Sequence, residues 1–145
     1  MRTFEAGPIG RTFVIAFERG DYLLEGINEQ IEKNGIRNGV VVSGIGTFDK
    51  AIFHRVTTTD EVAVEDFIEI DEPMELSAVQ GVIADGFPHL HMVFSDLEKT
   101  YSGHLEPGCR ILYLAEVVIQ EFPEVNFYRE KVGYNKVLAL LPDDK

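Results

Sequence analysis

The sequence predicts an α+β fold: a single domain with a mostly antiparallel or mixed β-sheet and one principal helix. The chain has 145 residues, of which 45% are hydrophobic and 26% charged, and this is the balance of one compact domain covering residues 1–145. Only one stretch repeats its apolar residues at helical spacing. About eight other segments are rich in β-branched and aromatic residues, and loops of hairpin length separate many of them.

The predicted helix runs from Asp21 to Asn34 and follows a first strand, Thr12 to Phe17. Its apolar face is formed by residues three or four positions apart, namely Leu23, Leu24, Ile27 and Ile31. Asp21 can cap the first turn, because a short acidic side chain accepts a hydrogen bond from the backbone at that position. Gly35 ends the helix, because glycine readily adopts the positive φ of a helix C-terminus.

The predicted strands after the helix are separated by residues that favour turns. They are Gly39 to Ser43, Ala51 to Val56, Val62 to Ile70, Glu75 to Ile83, His89 to Phe94, Thr100 to Leu105, Arg110 to Phe122 and Lys136 to Leu141. The last of these is expected to close the sheet. Residues 142–145 are expected to form a short polar tail.

The segment Gly44-Ile45-Gly46 separates the first two of these strands and allows two interpretations. Two glycines after a strand are compatible with a dinucleotide-binding loop, but Asp49 stands where the third glycine is needed and no helical period follows. The favoured interpretation is a tight turn, in which glycines permit backbone angles that other residues avoid.

The acidic composition argues against nucleic-acid binding. Thirteen basic and 25 acidic side chains give a formal charge of -12, which is the wrong sign for neutralising phosphates. The densest basic cluster, Arg129, Lys131 and Lys136, also contains Glu130 and is too sparse for a phosphate-binding stripe. We therefore expect no direct binding of DNA or RNA by this chain, and a preference for cations or basic partners.

The cysteine content and the apolar runs indicate a cytoplasmic protein. Cys109 is the single cysteine, so neither an internal disulfide nor a thiolate zinc cage can form, and no catalytic motif surrounds it. Residues 1–10 lack the apolar core of a secretory signal, and no apolar run reaches about 18 residues. We expect a protein of the reducing cytoplasm that does not insert into membranes.

Three of the four histidines lie close together in the sequence: His89, His91 and His104. Side chains two residues apart on a strand point to the same face, so His89 and His91 project together while the alternate residues face the core. A turn near Ser95-Asp96 can bring His104 beside them on the neighbouring strand. The pattern predicts a site with three imidazole ligands.

Such a site favours zinc. Three neutral imidazoles, with a fourth position left to water or an anion, form the open arrangement that is typical of catalytic rather than structural zinc. Imidazole also suits copper, nickel and iron, so other divalent transition metals remain open. The alternative is that the three histidines are ordinary polar residues on a solvated sheet face.

Four further polar residues have weaker claims to a role. His54 could supply a fourth ligand or support one, but the favoured interpretation is an ordinary exposed or hydrogen-bonded side chain. Glu116 lies in the apolar segment Leu114 to Val118, where a buried carboxylate demands a partner, and it could orient a ligand or act as acid or base. An inward charge on an edge strand is an equal alternative. Glu75 and Arg129 are interpreted as surface or ion-pair residues.

The order and spacing of several motifs resemble those of the plant and prokaryote conserved (PPC) domain family. The resemblance covers nearly the whole chain. It rests on Gly20-Asp21, Gly39 to Gly46 with its Ser-Gly-Ile-Gly segment, Glu75-Leu76 before Gly81, His89-Leu90-His91, Gly103-His104-Leu105-x-Pro-Gly108, Ala115-Glu116-Val117 and Phe127-Tyr128-Arg129.

The resemblance implies an α+β fold with a largely antiparallel sheet that assembles as a homotrimer. In the plant members an AT-hook, an Arg-Gly-Arg-centred segment, contacts DNA, and this sequence contains no such segment. The stand-alone microbial members resemble metal-carrying proteins, which implies that His89, His91 and His104 are metal ligands here.

Two classes of function follow. In the first, a metal site acts on, or senses, a small molecule or anion at its open position. In the second, the chain is a trimeric interaction or DNA-associated regulatory module whose metal is structural. The sequence names neither a substrate nor a reaction, so it leaves open whether the protein is an enzyme.

Overall fold

The computed structural model describes residues 1–134 and 137–142. Within them the elements are β1 (Thr12–Glu18), α1 (Leu23–Asn34), β2 (Gly39–Val56), β3 (Glu65–Ile70), β4 (Met74–Ala84), β5 (Phe87–Ser95), β6 (Thr100–Leu105), β7 (Arg110–Glu121), β8 (Phe127–Val132) and β9 (Val137–Pro142). The predicted class, a mostly antiparallel sheet with one helix, is confirmed. Lys136, at the start of the predicted last strand, and residues 143–145 of the predicted tail lie outside the described residues.

The main sheet has seven strands, and every pairing in it is antiparallel. Its strand order is β1-β7-β2-β4-β5-β6, with β3 paired to β2. The 18-residue strand β2 pairs with β4 and β7 over most of its length, and its second half pairs with β3 and touches β6. Because β6 meets β2, the four strands β2, β4, β5 and β6 form a closed ring.

Two predicted strands, Gly39 to Ser43 and Ala51 to Val56, are one continuous strand in the structure. The predicted turn at Gly44-Ile45-Gly46 is therefore wrong, and this part of β2 instead shifts register against β7. A Cβ atom at Gly46 would lie 2.5 Å from the carbonyl oxygen of Leu114, and one at Gly44 would lie 2.7 Å from Val79 Cβ. These glycines permit close approach of the neighbouring strands rather than a reversal of the chain.

The helix begins at Leu23, two residues later than predicted. Asp21 does not cap it, because its Oδ2 accepts a hydrogen bond from the backbone N–H of Glu18 instead, at 2.8 Å. The helix ends at Asn34 as predicted, with Gly35 at a φ of 64°. In the described ranges no helix is long and apolar enough to cross a membrane. The residues that α1 buries against the sheet are Leu23, Ile27 and Ile31.

The last two strands form a separate hairpin. We expected the C-terminal strand to close the main sheet, but β9 pairs with β8 in a sheet of two strands. The sequence of β8 includes three consecutive charged residues, which hid its strand character. Arg129 of β8 attaches the hairpin to the main sheet, because its guanidinium donates hydrogen bonds to the carbonyl oxygens of Val82 and Phe87, both at 2.9 Å.

The hydrophobic core beneath the closed ring of strands is aromatic. Phe48, Phe53 and Phe94 are fully buried, and the ring of Phe94 lies edge-on to the other two, at centroid distances of 6.2 and 5.2 Å. Cys109 is also buried, and its sulfur exchanges hydrogen bonds with the backbone of Ile52. Burial raises the pKa of the Cys109 thiol to about 12, so this side chain is a poor nucleophile at neutral pH.

Candidate metal centre

The alternation predicted for β5 is confirmed. His89 and His91 are exposed on one face of the strand, whereas Leu90 and Met92 are 1% exposed on the other. The period of two along a strand produces this division, because the aliphatic residues bury apolar area in the core. The two histidines are therefore held on the outer face by the packing of their neighbours.

The remaining histidines are brought to this face by strand pairing. His104 of β6 lies opposite His91 of β5, as the sequence predicted. On its other side His104 lies opposite His54, because β6 also meets the second half of β2. Gly103 allows this approach, since a Cβ there would lie only 2.5 Å from the carbonyl oxygen of His54.

The four imidazole rings fall into two arrangements. The rings of His89, His91 and His104 form a nearly equilateral triangle, with centroid distances of 5.3 Å for 89–91, 5.0 Å for 89–104 and 5.5 Å for 91–104. These three rings are mutually inclined, by 32° to 75°. By contrast, His54 is stacked on His104, with centroids 4.5 Å apart and planes inclined by 20°.

Glu106 connects the stacked pair. Its Oε1 lies 2.6 Å from His54 Nδ1 and 3.1 Å from His104 Nδ1. Because a carboxylate only accepts hydrogen bonds, each Nδ1 carries the hydrogen in these contacts. The Nε2 atom of each neutral ring then keeps its lone pair, which is the state a metal ligand requires.

His54, His104 and Glu106 also satisfy a simple distance criterion for a metal site, because their nearest ligand atoms all lie within 4.8 Å of one another. Sequence reasoning favoured an ordinary role for His54 and missed Glu106 altogether. Glu106 follows His104 by two residues, so the period of two could have indicated it. The contribution of His54 depends on the pairing of β2 with β6, which no local pattern indicates.

A cleft of about 1440 Å³ opens over the histidines. All four imidazoles line it, and the β8–β9 hairpin contributes Arg129 and the apolar side chains of Val137 and Leu138. On the opposite side, Arg55 and Val62 come from the end of β2 and the segment before β3. The site is therefore a concave surface with polar groups at its floor and apolar groups along its walls, which is the usual character of a small-molecule site.

Glu116 is placed differently from our expectation. Its side chain is exposed, not buried, and it lies opposite Ala16 of β1 and Ile45 of β2. Ile45 is nine positions before His54 along β2, and successive strand residues are about 3.3 Å apart, so Glu116 is remote from the histidines of its own chain. Glu75 of β4 is likewise exposed and does not line the cleft.

Comparison with known proteins identifies the family. The model of the Plants and Prokaryotes Conserved (PCC) domain matches residues 4–123. This chain belongs to the PCC domain family. The PCC and PPC names describe the same plant and prokaryote conserved domain, so the resemblance inferred from the motifs is confirmed.

Solved structures share the PCC fold. A metal-containing protein from Archaeoglobus fulgidus superposes with a TM-score of 0.82 at 23% identity, covering 97% of this chain and 99% of that one. A plant- and prokaryote-conserved protein from Pyrococcus horikoshii gives a TM-score of 0.76 at 24% identity, covering 90% and 92% of the two chains. These likenesses show the fold.

A curated relative is much longer than this PCC domain. The bifunctional protein GlmU of a Synechococcus strain is 27% identical over 121 residues. The match takes in 83% of this chain but only 18% of that protein, so this chain spans about a fifth of its relative's length.

The surroundings of two of these histidines, His89 and His104, lower the pKa values of their imidazoles. Partial desolvation of its ring among the neighbouring side chains lowers the pKa of His89 to about 4, with smaller contributions from His104, Arg129 and the other two histidines. Burial and the neighbouring His54 also lower the pKa of His104, although Glu106 opposes that shift. Both side chains therefore remain unprotonated in the folded protein at pH values where free imidazoles take up a proton.

The depressed histidine pKa values predict acid sensitivity of the metal-free protein. Between pH 6.5 and about 4 the unfolded chain binds a proton at position 89 that the folded chain does not. Unfolding then takes up protons, so the free energy of unfolding falls as the pH drops below 6.5. Urea denaturation of chelator-treated protein at pH 7, 6 and 5 measures this fall. His89→Asn should flatten the slope over the same range, and an unchanged slope in that variant would contradict the assignment.

Proposed function

We propose that this PCC domain binds one divalent transition metal, zinc by preference, through His89, His91 and His104. In this proposal a fourth coordination position faces the cleft and takes a small molecule or anion. The protein then acts on, or senses, that ligand. Its metal-containing relative from Archaeoglobus fulgidus, which has the same fold, supports the metal but not its identity.

The triangle of inclined rings is the observation that carries the proposal. Three imidazoles bound to one tetrahedral zinc, each at 2.0–2.1 Å from it, place their ring centroids about 5.2 Å apart. The centroid distances for His89, His91 and His104 are 5.0 to 5.5 Å. The spacing of these three rings therefore matches that around a shared metal. Their nitrogen atoms do not all lie within 4.8 Å of one another, as the ligand atoms of His54, His104 and Glu106 do, so metal binding requires the rings to turn.

His54 and Glu106 have a supporting role in this proposal. The rings of His54 and His104 are stacked, and His54 Nε2 lies 3.8 Å from Glu65 on the side of β3. Glu106 instead holds the Nδ1–H of His104, which fixes the ring orientation and leaves Nε2 for the metal. Carboxylates commonly hold metal-binding histidines in this way.

The chemistry available at such a site is that of an exposed Lewis acid. When bound, a divalent metal with an open position attracts and polarises an oxygen atom of an incoming ligand. The chain's own residues orient the imidazoles and line the cleft that admits the ligand. Cys109, the single thiol, is buried beneath the ring and offers no nucleophile to the cleft.

The ligand assignment predicts an order of effects among histidine variants. His91→Ala removes a ligand and should weaken zinc binding more than about 100-fold, whereas His54→Ala removes a supporting contact and should weaken it no more than about tenfold. Competition with a chromophoric zinc chelator at pH 7.5 measures both affinities. If His54, His104 and Glu106 hold the metal instead, the order reverses. If the wild-type protein takes up no metal, the proposal is wrong.

We also propose that the protein is a homotrimer joined through the outer face of β1, β7 and β2. Large apolar side chains are exposed there, including Val14 at 72%, Leu114 at 53% and Ile45 at 49%. Glu116 lies among them, opposite Ile45. Exposed apolar surface of this kind marks an association site, and closed cyclic symmetry buries it without leaving an open end.

The trimer predicts a molecular mass three times the chain mass of 16.3 kDa in light scattering. Ile45→Lys should yield monomers, because it places a charge within the apolar contact. Leu97→Lys is the matched control, since Leu97 is fully exposed in the loop before β6 and should leave the mass unchanged. Removing the metal by chelation should also leave the mass unchanged. Dissociation on chelation would favour the alternative function, a trimeric interaction module with a structural metal.

A further inference from the structure

Arg129 is one of three basic residues that line the cleft, together with Arg55 and Lys131, and the metal site does not account for it. Arg129 is half-buried on β8, and two of its N–H groups are fixed by the carbonyl oxygens of Val82 and Phe87. Val82 is the register partner of His89, so the guanidinium lies beside the histidine triangle. Among the described acidic residues, none forms an ion pair with Arg129.

A half-buried cation without an acidic partner is unfavourable unless a ligand supplies the charge. Burial lowers the pKa of Arg129, which reflects this cost. The chain as a whole carries a charge of -12, so acidic side chains are abundant, yet no acidic side chain within residues 1–134 and 137–142 forms an ion pair with this guanidinium. The two backbone contacts hold the side chain in place and leave its other N–H groups available.

The carboxylates that do line the cleft are committed to other contacts. Asp85 is paired with Arg37 at the turn between β4 and β5, and Glu65 lies 3.8 Å from His54 Nε2 on the opposite side. The floor between Arg129 and the histidine triangle is therefore suited to an external anion. The planar guanidinium matches the two oxygens of a carboxylate.

The walls of the cleft indicate the rest of the ligand. Val62 is 57% exposed on one side, and Val137 and Leu138 are 52% and 56% exposed on the other. Exposed apolar side chains that face one another across a cleft bury area when an apolar group enters between them. A bare inorganic anion would use the floor and leave these walls in water.

We propose that the cleft binds a small organic carboxylate, with its carboxylate between Arg129 and the open metal position and its apolar body between Val62 and Leu138. This inference rests on the proposed metal site and specifies its ligand class. Arg129 acts here as a specificity-determining residue, because it selects an anionic head group. A neutral ligand of the same shape would leave the guanidinium desolvated and unpaired.

The experiment uses phenylacetate as the probe and phenylacetamide as its neutral counterpart. The protein is loaded with cobalt(II) in place of zinc, so that entry of an oxygen ligand changes the visible spectrum, and binding is measured in parallel by calorimetry. We expect phenylacetate to bind more tightly than acetate and phenylacetamide to bind at least about tenfold more weakly, because loss of one charge-assisted contact has that effect. Tighter binding of inorganic phosphate than of phenylacetate would overturn the carboxylate assignment.

Variants separate the role of Arg129 from that of charge in general. Arg129→Gln keeps a hydrogen-bond donor for the hairpin contact and removes the charge. This variant should weaken the binding of phenylacetate at least about tenfold. Arg129→Lys keeps the charge but loses the planar guanidinium, so its affinity for phenylacetate should lie between those of Arg129→Gln and the wild type. Arg55→Ala is the matched control, since Arg55 is exposed at the opposite side of the same cleft and should change the affinity less than threefold, about half a decade.

Metal affinity is measured for every variant and distinguishes the two proposals. If Arg129→Gln retains metal and thermal stability but binds phenylacetate like the wild type, the carboxylate site is wrong and the metal site stands. If Arg55→Ala weakens binding as much as Arg129→Gln, the specific role of Arg129 is wrong. If the wild-type protein takes up no metal, both proposals fail together.

Discussion

The position of His54 beside the other histidines depends on the backbone contact between the second half of β2 and β6. Without it the main sheet would be an open run of strands, and His54 and His104 would lie on separate edges. The contact is possible because Gly103 presents no side chain: a Cβ there would lie 2.5 Å from the carbonyl oxygen of His54 and 2.7 Å from the ring of Phe53. Overpacking at such a point pushes strands apart and costs about 1–3 kcal/mol. Gly103 therefore permits both the closure of the four strands into a ring and the stacking of the His54 and His104 imidazoles.

Closure of the ring also explains why β2 must be long and irregular. Its first half pairs with β4 and β7, and its second half pairs with β3 and β6. Register shifts against β7 change the direction of a strand without ending it. Gly44 and Gly46 sit where neighbouring strands approach closely, so they allow this change while the aromatic core beneath stays closely packed.

The charge distribution separates the cleft from the rest of an acidic surface. The four histidines and an Arg129 that lacks an ion pair among the described residues form the floor, while most acidic side chains lie elsewhere. Low-dielectric walls strengthen the field of an unpaired cation, because water does not screen it fully. The cleft therefore differs in sign from the average surface. The net charge alone describes the average and gives no information on this local site.

Local patterns in the sequence predicted what depends on neighbours along the chain. The alternation of His89 and His91 with Leu90 and Met92 predicted the shared face, and the turn near Ser95-Asp96 predicted that His104 would join them.

What local patterns missed depends on contacts between distant segments. In a sequence, a glycine that allows two strands to approach closely looks the same as a glycine in a turn. The sequence therefore predicts two strands where the structure has the single strand β2. The sequence predicts that the last strand closes the main sheet and does not predict β8, because the pairing of β8 with β9 leaves no periodic trace. The sequence favours an ordinary exposed or hydrogen-bonded role for His54, and the structure places His54 in a hydrogen bond with Glu106. The sequence interprets Arg129 as a surface or ion-pair residue. Both residues line the cleft because of the β2–β6 closure and the placement of β8, and neither contact leaves a local pattern.

The central claim is that three inclined imidazoles surround one metal ion. Anomalous X-ray diffraction from zinc-loaded crystals, measured on both sides of the zinc absorption edge, tests it most directly. The account predicts one peak per chain within 2.0–2.1 Å of a nitrogen atom from each of His89, His91 and His104, with its fourth position directed into the cleft. A peak between His54, His104 and Glu106, or no peak at the histidine face, would contradict it.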